Sequence, residues 1–443
     1  MKTYSTTIRA ALAALAFTAC SSDRAVTSPE ALELEPSLSR GSEKNTLPGA
    51  VYSMSNDAAG NDVVVYNRAK DGTLSFAGSY STGGNGSGGF EDSANGLVLG
   101  SDDGESAPNN LQGDSKFLFA TNAGSNTISV FRVNKNDTHD KKDKRDAITL
   151  VEVQNSGGEK PVSLTVNNGI LYVLNSGEFI DGEIAIPNCT TGNLPSITGF
   201  SVSDKGELTP IPNSTRQLSG DPPSGCAQVS FNPSGTVLVV TERLAQDEDP
   251  TSAAGDEGVI NTFVLNADGT PGTHQIFDAT GEGPFGFTFN KSGALLTTEQ
   301  FDGPMGVGRG AAAGYMLNAS GTLTATSPSV QNGGTDTCWF VVTDDGVYGY
   351  TTSFFGTGQI SLYRVSTNGA LALIDATADD GAAGTGASDL SLSKNSEYLY
   401  QLNSLRGTIS EYRVASNGGL ALVQVVQAHP ASATAAPMGI AAR

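Results

Sequence analysis

The sequence predicts an all-β chain folded as a seven-bladed β-propeller, with a C-terminal strand that completes blade one. Three observations lead to this prediction. A two-strand phrase recurs seven times, glycine is abundant at 54 of 443 residues, and no stretch beyond the N-terminus has a helical period. Short alternating strands joined by glycine turns are typical of all-β folds. The chain therefore reads as one large repeat domain.

The repeated phrase is a short apolar strand that ends in a polar residue, then a strand of the form I/V-x-x-F/Y-x-V and a glycine turn. It is clearest in "LFATNAGSNTISVFRV" (118–133) and "LYQLNSLRGTISEYRV" (399–414). The copies recur about every 50 to 70 residues, which is room for four ordinary strands each. The polar residues that end the first strand are Ser55, Asn122, Asn175, Glu242, Glu299, Thr352 and Asn403. Seven four-stranded units predict seven blades.

Closure of the ring is predicted from the two ends of the repeat. Most units open with a further strand, such as "CAQVSF" (226–231), but the first unit has none. The chain ends instead with "APMGIAAR" (436–443). We expect this tail to be the innermost strand of blade one, because an unclosed ring would leave an open sheet edge. The predicted propeller covers residues 49–443.

The first twenty residues predict export. A positive start, "MKTYSTTIR", precedes a short apolar run and then "LAFTAC", which is similar to a bacterial lipobox that would acylate Cys20. Plain secretion with cleavage nearby is the alternative. Residues 21–48 have no strand pattern and are expected to form a tether. The protein is therefore expected to be a cell-envelope lipoprotein or a secreted protein, touching a membrane only through its lipid.

The charge limits the choice of partners. A formal net charge of −21 and a pI near 4.4 repel phosphate backbones, so nucleic acid is not expected as a partner. A small-molecule ligand or an envelope protein is expected instead, and the chain is expected to be a monomer. No cofactor is required by any motif.

In a propeller, the loops between second and third strands share a face with the links between blades. The polar residues of the repeat should therefore crown that face, and the inserts 176–196, 243–258 and 300–313 should wall a pocket there. Asn122, Asn175, Glu299 and Asn403 are accordingly predicted to bind a ligand, with Trp339 as a stacking floor; packing of Trp339 between blades is the alternative. The same geometry makes a Cys189–Cys226 disulfide reasonable in an oxidising compartment.

The segments "FLFATNAGSNTISVFRV", "NPSGTVLVVTER" and "APMGIAAR" resemble the lactonase-type seven-bladed propellers, over about residues 49–443. That family includes the propeller 6-phosphogluconolactonase and the 3-carboxymuconate lactonising enzyme, also called a cyclase. The resemblance implies that a glutamate at the end of the second strand of blade four belongs to the active site. Glu242 in "VTERL" matches that position, although Thr241 stands where the family has Asn.

The other family residues do not carry over. The opening of blade three, "GGEKPVSLTVNNG", has no histidine, and the opening of blade four, "SGCAQVSF", has no arginine. A second family arginine, after the second strand of blade five, is replaced by Glu299 and Gln300. Arg243 and Arg309 lie in nearby loops and could substitute. Losing a group that stabilises developing charge can lower a rate by about a hundredfold or more.

Three functions stay open at this stage. The first is lactone hydrolysis or muconate cyclisation, with Glu242 as general acid or base and Arg243, Arg309 or His429 assisting. The second is a non-catalytic propeller that binds a ligand or a protein. The third is calcium-dependent lactone hydrolysis, with Asn122, Asn175, Glu242 and Glu299 as oxygen ligands of Ca²⁺.

Overall fold

The computed structural model describes residues 49–89, 91, 93–100, 115–134, 147–177, 195–220, 225–243, 258–301, 303–379, 384–431 and 437–443. Within these residues, all 29 regular elements are β-strands. Within these ranges, no helix has the length and apolar character that a membrane crossing requires. The predicted signal peptide and tether, Cys189, and most of the inserts after residues 177 and 243 lie outside the described residues.

The strands form seven antiparallel sheets, which are the seven predicted blades. The strands of blades one to four are β1 (Gly49–Met54), β2 (Asp62–Arg68), β3 (Leu74–Ser81), β4 (Leu97–Gly100), β5 (Phe117–Asn122), β6 (Thr127–Val133), β7 (Ile148–Asn155), β8 (Pro161–Asn167), β9 (Ile170–Asn175), β10 (Ser196–Val202), β11 (Leu208–Pro210), β12 (Arg216–Gln217), β13 (Cys226–Phe231), β14 (Val237–Glu242), β15 (Val259–Leu265) and β16 (Pro271–Asp278).

The strands of blades five to seven, and the closing strand, are β17 (Pro284–Phe289), β18 (Ala294–Glu299), β19 (Ala311–Leu317), β20 (Leu323–Gln331), β21 (Thr335–Val342), β22 (Tyr348–Phe355), β23 (Ile360–Val365), β24 (Leu371–Asp375), β25 (Ala387–Leu392), β26 (Tyr398–Asn403), β27 (Thr408–Val414), β28 (Leu420–Gln427) and β29 (Met438–Ala442). In blades two to seven the first strand is innermost. Blade three has a divided outer edge, where β11 and β12 both pair with β10.

The C-terminal strand closes the ring as predicted. Blade one has the strand order β29-β1-β2-β3, and Val51 of β1 pairs with Ala442 of β29. The pairing shifts register after Ser53, and Gly439 lies in this bulge with φ of 74°. A Cβ there would approach Leu97 of blade two to 2.8 Å. Glycine therefore permits both the bulge and the close contact between blades one and two.

The core lies between neighbouring blades. Alternate residues of a strand face opposite sides of its sheet, so each blade presents apolar side chains to both neighbours. In the seam between blades seven and one, Tyr400 and Leu402 pack with Val51 and Ile440. Burying a side chain of this size contributes about 1.5–3 kcal/mol. The outermost strands are much more exposed than the inner ones, as in β3, so the polar alternation of the sequence is confined to the rim.

Candidate functional site

The polar residues of the repeat lie where the second strands reach the crowned face. Five of them are the last residues of β5, β9, β14, β18 and β26, Ser55 directly follows β1, and Thr352 lies within β22. We call the chain between one blade's outermost strand and the next blade's innermost strand a linker. Apart from the half-buried Ser55, these residues are buried.

Glu242 is fully buried, with 0% of its surface exposed. Its Oε2 accepts hydrogen bonds from the Ser219 backbone N–H (3.0 Å) and from Asn261 Nδ2 (2.7 Å), and its Oε1 accepts one from Ser219 Oγ (3.0 Å). Ser219 belongs to the linker that enters blade four, and Asn261 lies on β15. The carboxylate thus ties the linker to the third strand of its own blade. This structural role accounts for the carboxylate at the end of an otherwise apolar strand.

Glu299 occupies the equivalent place in blade five with equivalent contacts. It accepts hydrogen bonds from Thr280 Oγ1 (3.1 Å) in the entering linker and from Ser329 Oγ (2.6 Å) on β20. A Cβ on the linker residue Gly281 would lie 2.5 Å from Glu299 Oε2, so the linker approaches the carboxyl closely. Burial raises the pKa of Glu299, and these donors oppose the rise.

Asn122 plays the same part in blade two with an amide. Its Nδ2 donates to Ser129 Oγ (2.7 Å), and Ser129 Oγ donates to the linker carbonyl of Thr82 (2.7 Å). Its Oδ1 accepts from Asn61 Nδ2 of blade one (3.1 Å). We refer to Asn122, Glu242 and Glu299, with these partners, as the linker clamps.

Asn175 and Asn403 are weaker members of the ring. Asn175 Nδ2 donates to the linker carbonyl of Ser156 at 3.4 Å, and Asn403 Nδ2 donates to Thr408 and Ser410 within its own blade. The Oδ1 atoms of both asparagines are buried without a hydrogen-bond partner among the described residues.

The two predicted arginines are connected by a series of contacts through Gln300 and Glu282. Arg243 Nη1 lies 3.5 Å from Gln300 Oε1. Gln300 donates its backbone N–H to Gly283, next to Glu282. Glu282 accepts two hydrogen bonds from Arg309 Nη2, at 2.9 and 3.1 Å. Blades four and five therefore bring both guanidinium groups to one stretch of the crowned face.

Neighbouring side chains hold Arg309 and Gln300 in place. The Arg309 guanidinium lies over the Phe301 ring, 5.1 Å from its centre. Gln300 Nε2 donates to Cys338 Sγ (3.3 Å), whose thiol contacts Asp336 Oδ1 (3.3 Å). We call Arg243, Gln300, Glu282 and Arg309 the arginine cluster.

Other predicted residues lie elsewhere. His429 Nε2 is 3.0 Å from Ser53 Oγ of blade one, so the structure places it away from blade four, and burial lowers its pKa to about 4. Trp339 is 2% exposed, lies in the wall of the central channel, and packs edge-on against Phe285. Cys226 is disulfide-bonded. Its predicted partner, Cys189, lies outside the described residues, so that pairing stays a prediction.

Two features of the site were missed from the sequence. Asn261, which donates to Glu242, also accepts a hydrogen bond at its Oδ1 from His274 Nε2–H (2.8 Å). His274 lies on the outermost strand, stacks on Phe263 with ring centres 4.1 Å apart, and has its pKa lowered by burial. A hydrogen-bonded chain thus leads from Glu242 to the rim. Histidine on an outer strand, with no motif around it, gave no signal.

The second missed feature is Asp389 on β25, the innermost strand of blade seven. Its Oδ1 accepts the Leu390 N–H (2.8 Å) and its Oδ2 accepts the Ile440 N–H of the closing strand (3.1 Å). Burial raises its pKa to about 8. A signal was present in "ASDLSLS" (387–393), where a charged residue interrupts a buried strand.

The described residues contain no acidic cluster that would support the calcium hypothesis. Among the residues that the structure describes, no three His, Cys, Asp or Glu side chains are grouped so that they could hold a metal ion. Glu242 and Glu299 each use their oxygens on donors of their own blade and linker. The four-residue oxygen set remains a prediction.

Comparison with known proteins supports the fold. The chain matches no protein-family model and no curated protein by sequence. A presumed 6-phosphogluconolactonase from Bacteroides fragilis superposes with a TM-score of 0.62 at 15% identity, covering 91% of this chain and 100% of that one. One from Bacteroides uniformis gives 0.62 at 14% identity, covering 89% and 99%. The periplasmic gluconolactonase of Pseudomonas aeruginosa gives 0.58 at 13% identity, again covering 89% and 99%.

The architecture and these neighbours together define the class. The chain is a seven-bladed β-propeller with a lactonase-like fold. At such identities the likeness concerns the fold, and a fold does not fix a function. The chemistry has to be argued from the chain's own residues.

Proposed function

We propose that this chain is an exported binding propeller that holds a small carboxylate-bearing molecule at the arginine cluster, without turnover by Glu242. The observation that carries the proposal is the contrast between the two kinds of charged group on the crowned face. The glutamates are buried clamps, whereas Arg243 and Arg309 are half-buried and stand on adjacent blades.

Glu242 is a poor general acid or base in this position. Its oxygens accept three hydrogen bonds, from Ser219 and Asn261, and none of its surface is exposed. A proton-transfer group must come within hydrogen-bond reach of the substrate atom that it serves. The equivalent Glu299, with its own linker donors, supports a structural role for both residues.

A carboxylate suits the arginine cluster because the guanidinium group presents donors in a planar fork that matches it. Glu282 already binds Arg309, with both of its carboxylate oxygens accepting from the single nitrogen Nη2. A bound carboxylate would therefore compete with Glu282 and gain from Arg243 and Gln300. This predicts that removing the Glu282 charge strengthens binding.

Binding can be tested by calorimetric titration with a panel of small sugar acids and aromatic carboxylates. Arg243→Gln should weaken binding at least tenfold, and Glu282→Gln should strengthen it. Arg364→Gln is the matched control, because Arg364 stacks on Tyr348 at the other end of the strands. Equal affinity in the parent and Arg243→Gln would reject the cluster as the site.

The second candidate is a lactonase in which Glu242 is the acid or base. The hydrogen-bonded network of Glu242, Asn261 and His274 favours it, since such a network can polarise and orient a catalytic carboxylate. The test is a lactone panel assayed with the parent, Glu242→Gln and His274→Gln. Turnover by the parent that falls at least a hundredfold in Glu242→Gln would establish this candidate. Equal rates would remove it.

The proposals of export and lipidation depend only on the sequence of the first twenty residues. Metabolic labelling with a radioactive fatty acid should mark the parent and leave Cys20→Ala unlabelled. An unlabelled parent that is found in the medium would indicate plain secretion.

A further inference from the structure

Two exposed apolar side chains stand beside the arginine cluster, on the loop between β18 and β19. Met305 is 64% exposed and Val307 is 77% exposed. The loop leaves the second strand of blade five, so it belongs to the crowned face, and it also carries Arg309. The other large apolar side chains that are exposed in the described part of the chain lie on outermost strands of blades, namely Phe76, Leu150, Val153, Ile276, Ile374, Leu422 and Val425. We call Met305 and Val307 the apolar lip.

The loop that carries the apolar lip is held by hydrogen bonds. The Val307 N–H donates to the Met305 carbonyl (2.9 Å), and the Arg309 N–H donates to the Gly306 carbonyl (3.0 Å). The Gly308 N–H donates to Thr335 Oγ1 of blade six (3.0 Å). These bonds fix the backbone from Met305 to Arg309, so the position of the lip relative to the arginine is set by the fold.

Phe301 connects the apolar lip to the guanidinium group. Its ring lies under the Arg309 guanidinium, 5.1 Å from ring centre to Cζ. A Cβ on Gly306, the residue between the two lip side chains, would collide with the Phe301 carbonyl. Phe301 has φ of 51°, which residues with a side chain rarely adopt, and its N–H donates to the Glu282 carbonyl (3.2 Å). The lip, the guanidinium and Glu282 therefore all contact one residue.

The pairing of an apolar surface with cations is informative about the ligand. Single exposed apolar residues are ordinary on a protein surface, but these two flank one turn of a loop that is held in place beside a charged site. Small-molecule sites combine apolar contact surface with a few polar groups that fix orientation. Methionine suits such a surface, because its flexible side chain adapts to different shapes.

We propose that the apolar lip makes the arginine cluster selective for carboxylates with an apolar body, over polyhydroxylated acids of the same size. This inference rests on the proposed function, because the carboxylate is held by Arg243 and Gln300. Met305 and Val307 then cover the body of the ligand. A hydroxylated body would lose hydrogen bonds to water at the lip and gain no partner there, which is unfavourable.

A matched pair of ligands tests the selectivity. Cyclohexanecarboxylate and quinate have the same ring and carboxylate, both are ionised at neutral pH, and quinate adds hydroxyl groups to the ring. Calorimetric titration of the full chain should give a Kd for cyclohexanecarboxylate about tenfold below that for quinate. A tenfold difference needs only about 55 Å² of apolar surface to be buried, at about 25 cal/mol per Å².

Variants of the lip separate its contribution from that of the arginines. Combining Met305→Ser with Val307→Ser should weaken cyclohexanecarboxylate binding about tenfold and leave quinate binding unchanged. Combining Met305→Leu with Val307→Ile should keep the preference. The matched control combines Leu422→Ser with Val425→Ser on the outermost strand of blade seven, and should change neither affinity. All four side chains are exposed, so an unchanged melting temperature is expected and checks that each variant is folded.

The outcomes distinguish failure of the lip from failure of the arginine cluster. Arg243→Gln should weaken both ligands and keep the ratio between them. Equal affinity of the parent for the two ligands, or a preference that survives removal of the lip, would overturn this inference, and the carboxylate site would stand if Arg243→Gln still weakens both. Binding of neither ligand by the parent, or affinities that Arg243→Gln leaves unchanged, would reject the arginine cluster and the role of the lip with it.

Discussion

The three linker clamps and the channel wall differ in whether their buried polar side chains have hydrogen-bond partners. On the crowned face, Glu242, Glu299 and Asn122 have their hydrogen bonds satisfied by linkers, neighbouring strands and the preceding blade. In the channel wall, Trp339 Nε1 and Thr288 Oγ1 have no partner among the described residues. The comparison teaches that the three clamp residues are architectural. Asn175 and Asn403 occupy the same repeated position but each keep a buried Oδ1 without a partner among the described residues, so a shared position in the repeat does not by itself fix whether a polar group is satisfied.

Removing a clamp carboxylate is expected to have the largest effect on stability. Glu242→Ala should lower the free energy of unfolding by about 3–5 kcal/mol, because it leaves the buried Asn261 amide and two part-buried donors of Ser219 without their acceptor. Equilibrium urea denaturation measures this. The companion Glu299→Ala should lose a similar amount. A loss under about 1 kcal/mol for both would show that the clamps do not hold the linkers.

The next largest effect comes from the two titrating groups near the closing strand. Unfolded Asp389 ionises above its ordinary pKa of 3.8, whereas the folded carboxyl keeps its proton to about pH 8. The folded state then binds more protons, so stability falls as pH rises across that window. His429 acts in the other direction. Its folded pKa of about 4 lies below the ordinary 6.5, so its contribution is lost as pH falls through that range.

Between about pH 4 and 6.5, the effects of Asp389 and His429 on stability have opposite signs and offset each other. From about pH 6.5 to 8, only the effect of Asp389 remains of this pair. It should remove about 2 kcal/mol there, at 1.36 kcal/mol for each pKa unit. Urea denaturation at several pH values measures the slope. Asp389→Asn should reduce the slope of stability against pH by one proton in this range. The variant should also be less stable than the parent at low pH, because its amide NH₂ faces one of the two backbone N–H groups that the carboxyl accepts. An unchanged slope would contradict the assignment. His429→Asn should leave this range unaffected.

An amide clamp should matter less than a carboxylate clamp. Asn122→Ala is expected to cost about 1–2 kcal/mol in denaturation experiments. Its partners keep other hydrogen bonds, since Asn61 Nδ2 also donates to the Thr121 carbonyl and Ser129 Oγ donates to Thr82. A loss as large as that of Glu242→Ala would mean that packing, and not the charge of the clamp, decides its contribution.

The smallest effect is expected at the arginine cluster. Arg309→Gln breaks the ion pair with Glu282, but the Arg309 side chain is 35% exposed, and ion pairs of this kind contribute about 0–1 kcal/mol. Thermal melting should therefore change little, while carboxylate binding falls. A large drop in melting temperature would instead assign the pair to structure and weaken its role as a ligand site.

Much of the fold was predictable from local pattern. The phrase ending at Asn122 and its six counterparts predicted seven blades, and the unpaired tail predicted the closing strand, because each depends on strand alternation and turn residues close together in sequence. The placement of Arg243 and Arg309 on one face also followed from the repeat. Their contacts through Gln300 and Glu282 did not, because those depend on how two loops pack.

The sequence by itself determined the number of blades, the strand order and the residues that reach the crowned face, since hydrogen-bonded ladders of period two impose these directly. Only the tertiary structure decided which polar groups are satisfied. Glu242 matches a catalytic position in sequence, and only the structure shows Ser219 and Asn261 around it. The sequence predicts Trp339 on the crowned face, and only the structure shows it, with Asp389, in the wall of the channel. The physical reason is that hydrogen-bond satisfaction depends on neighbours far apart in the chain, which no local pattern contains.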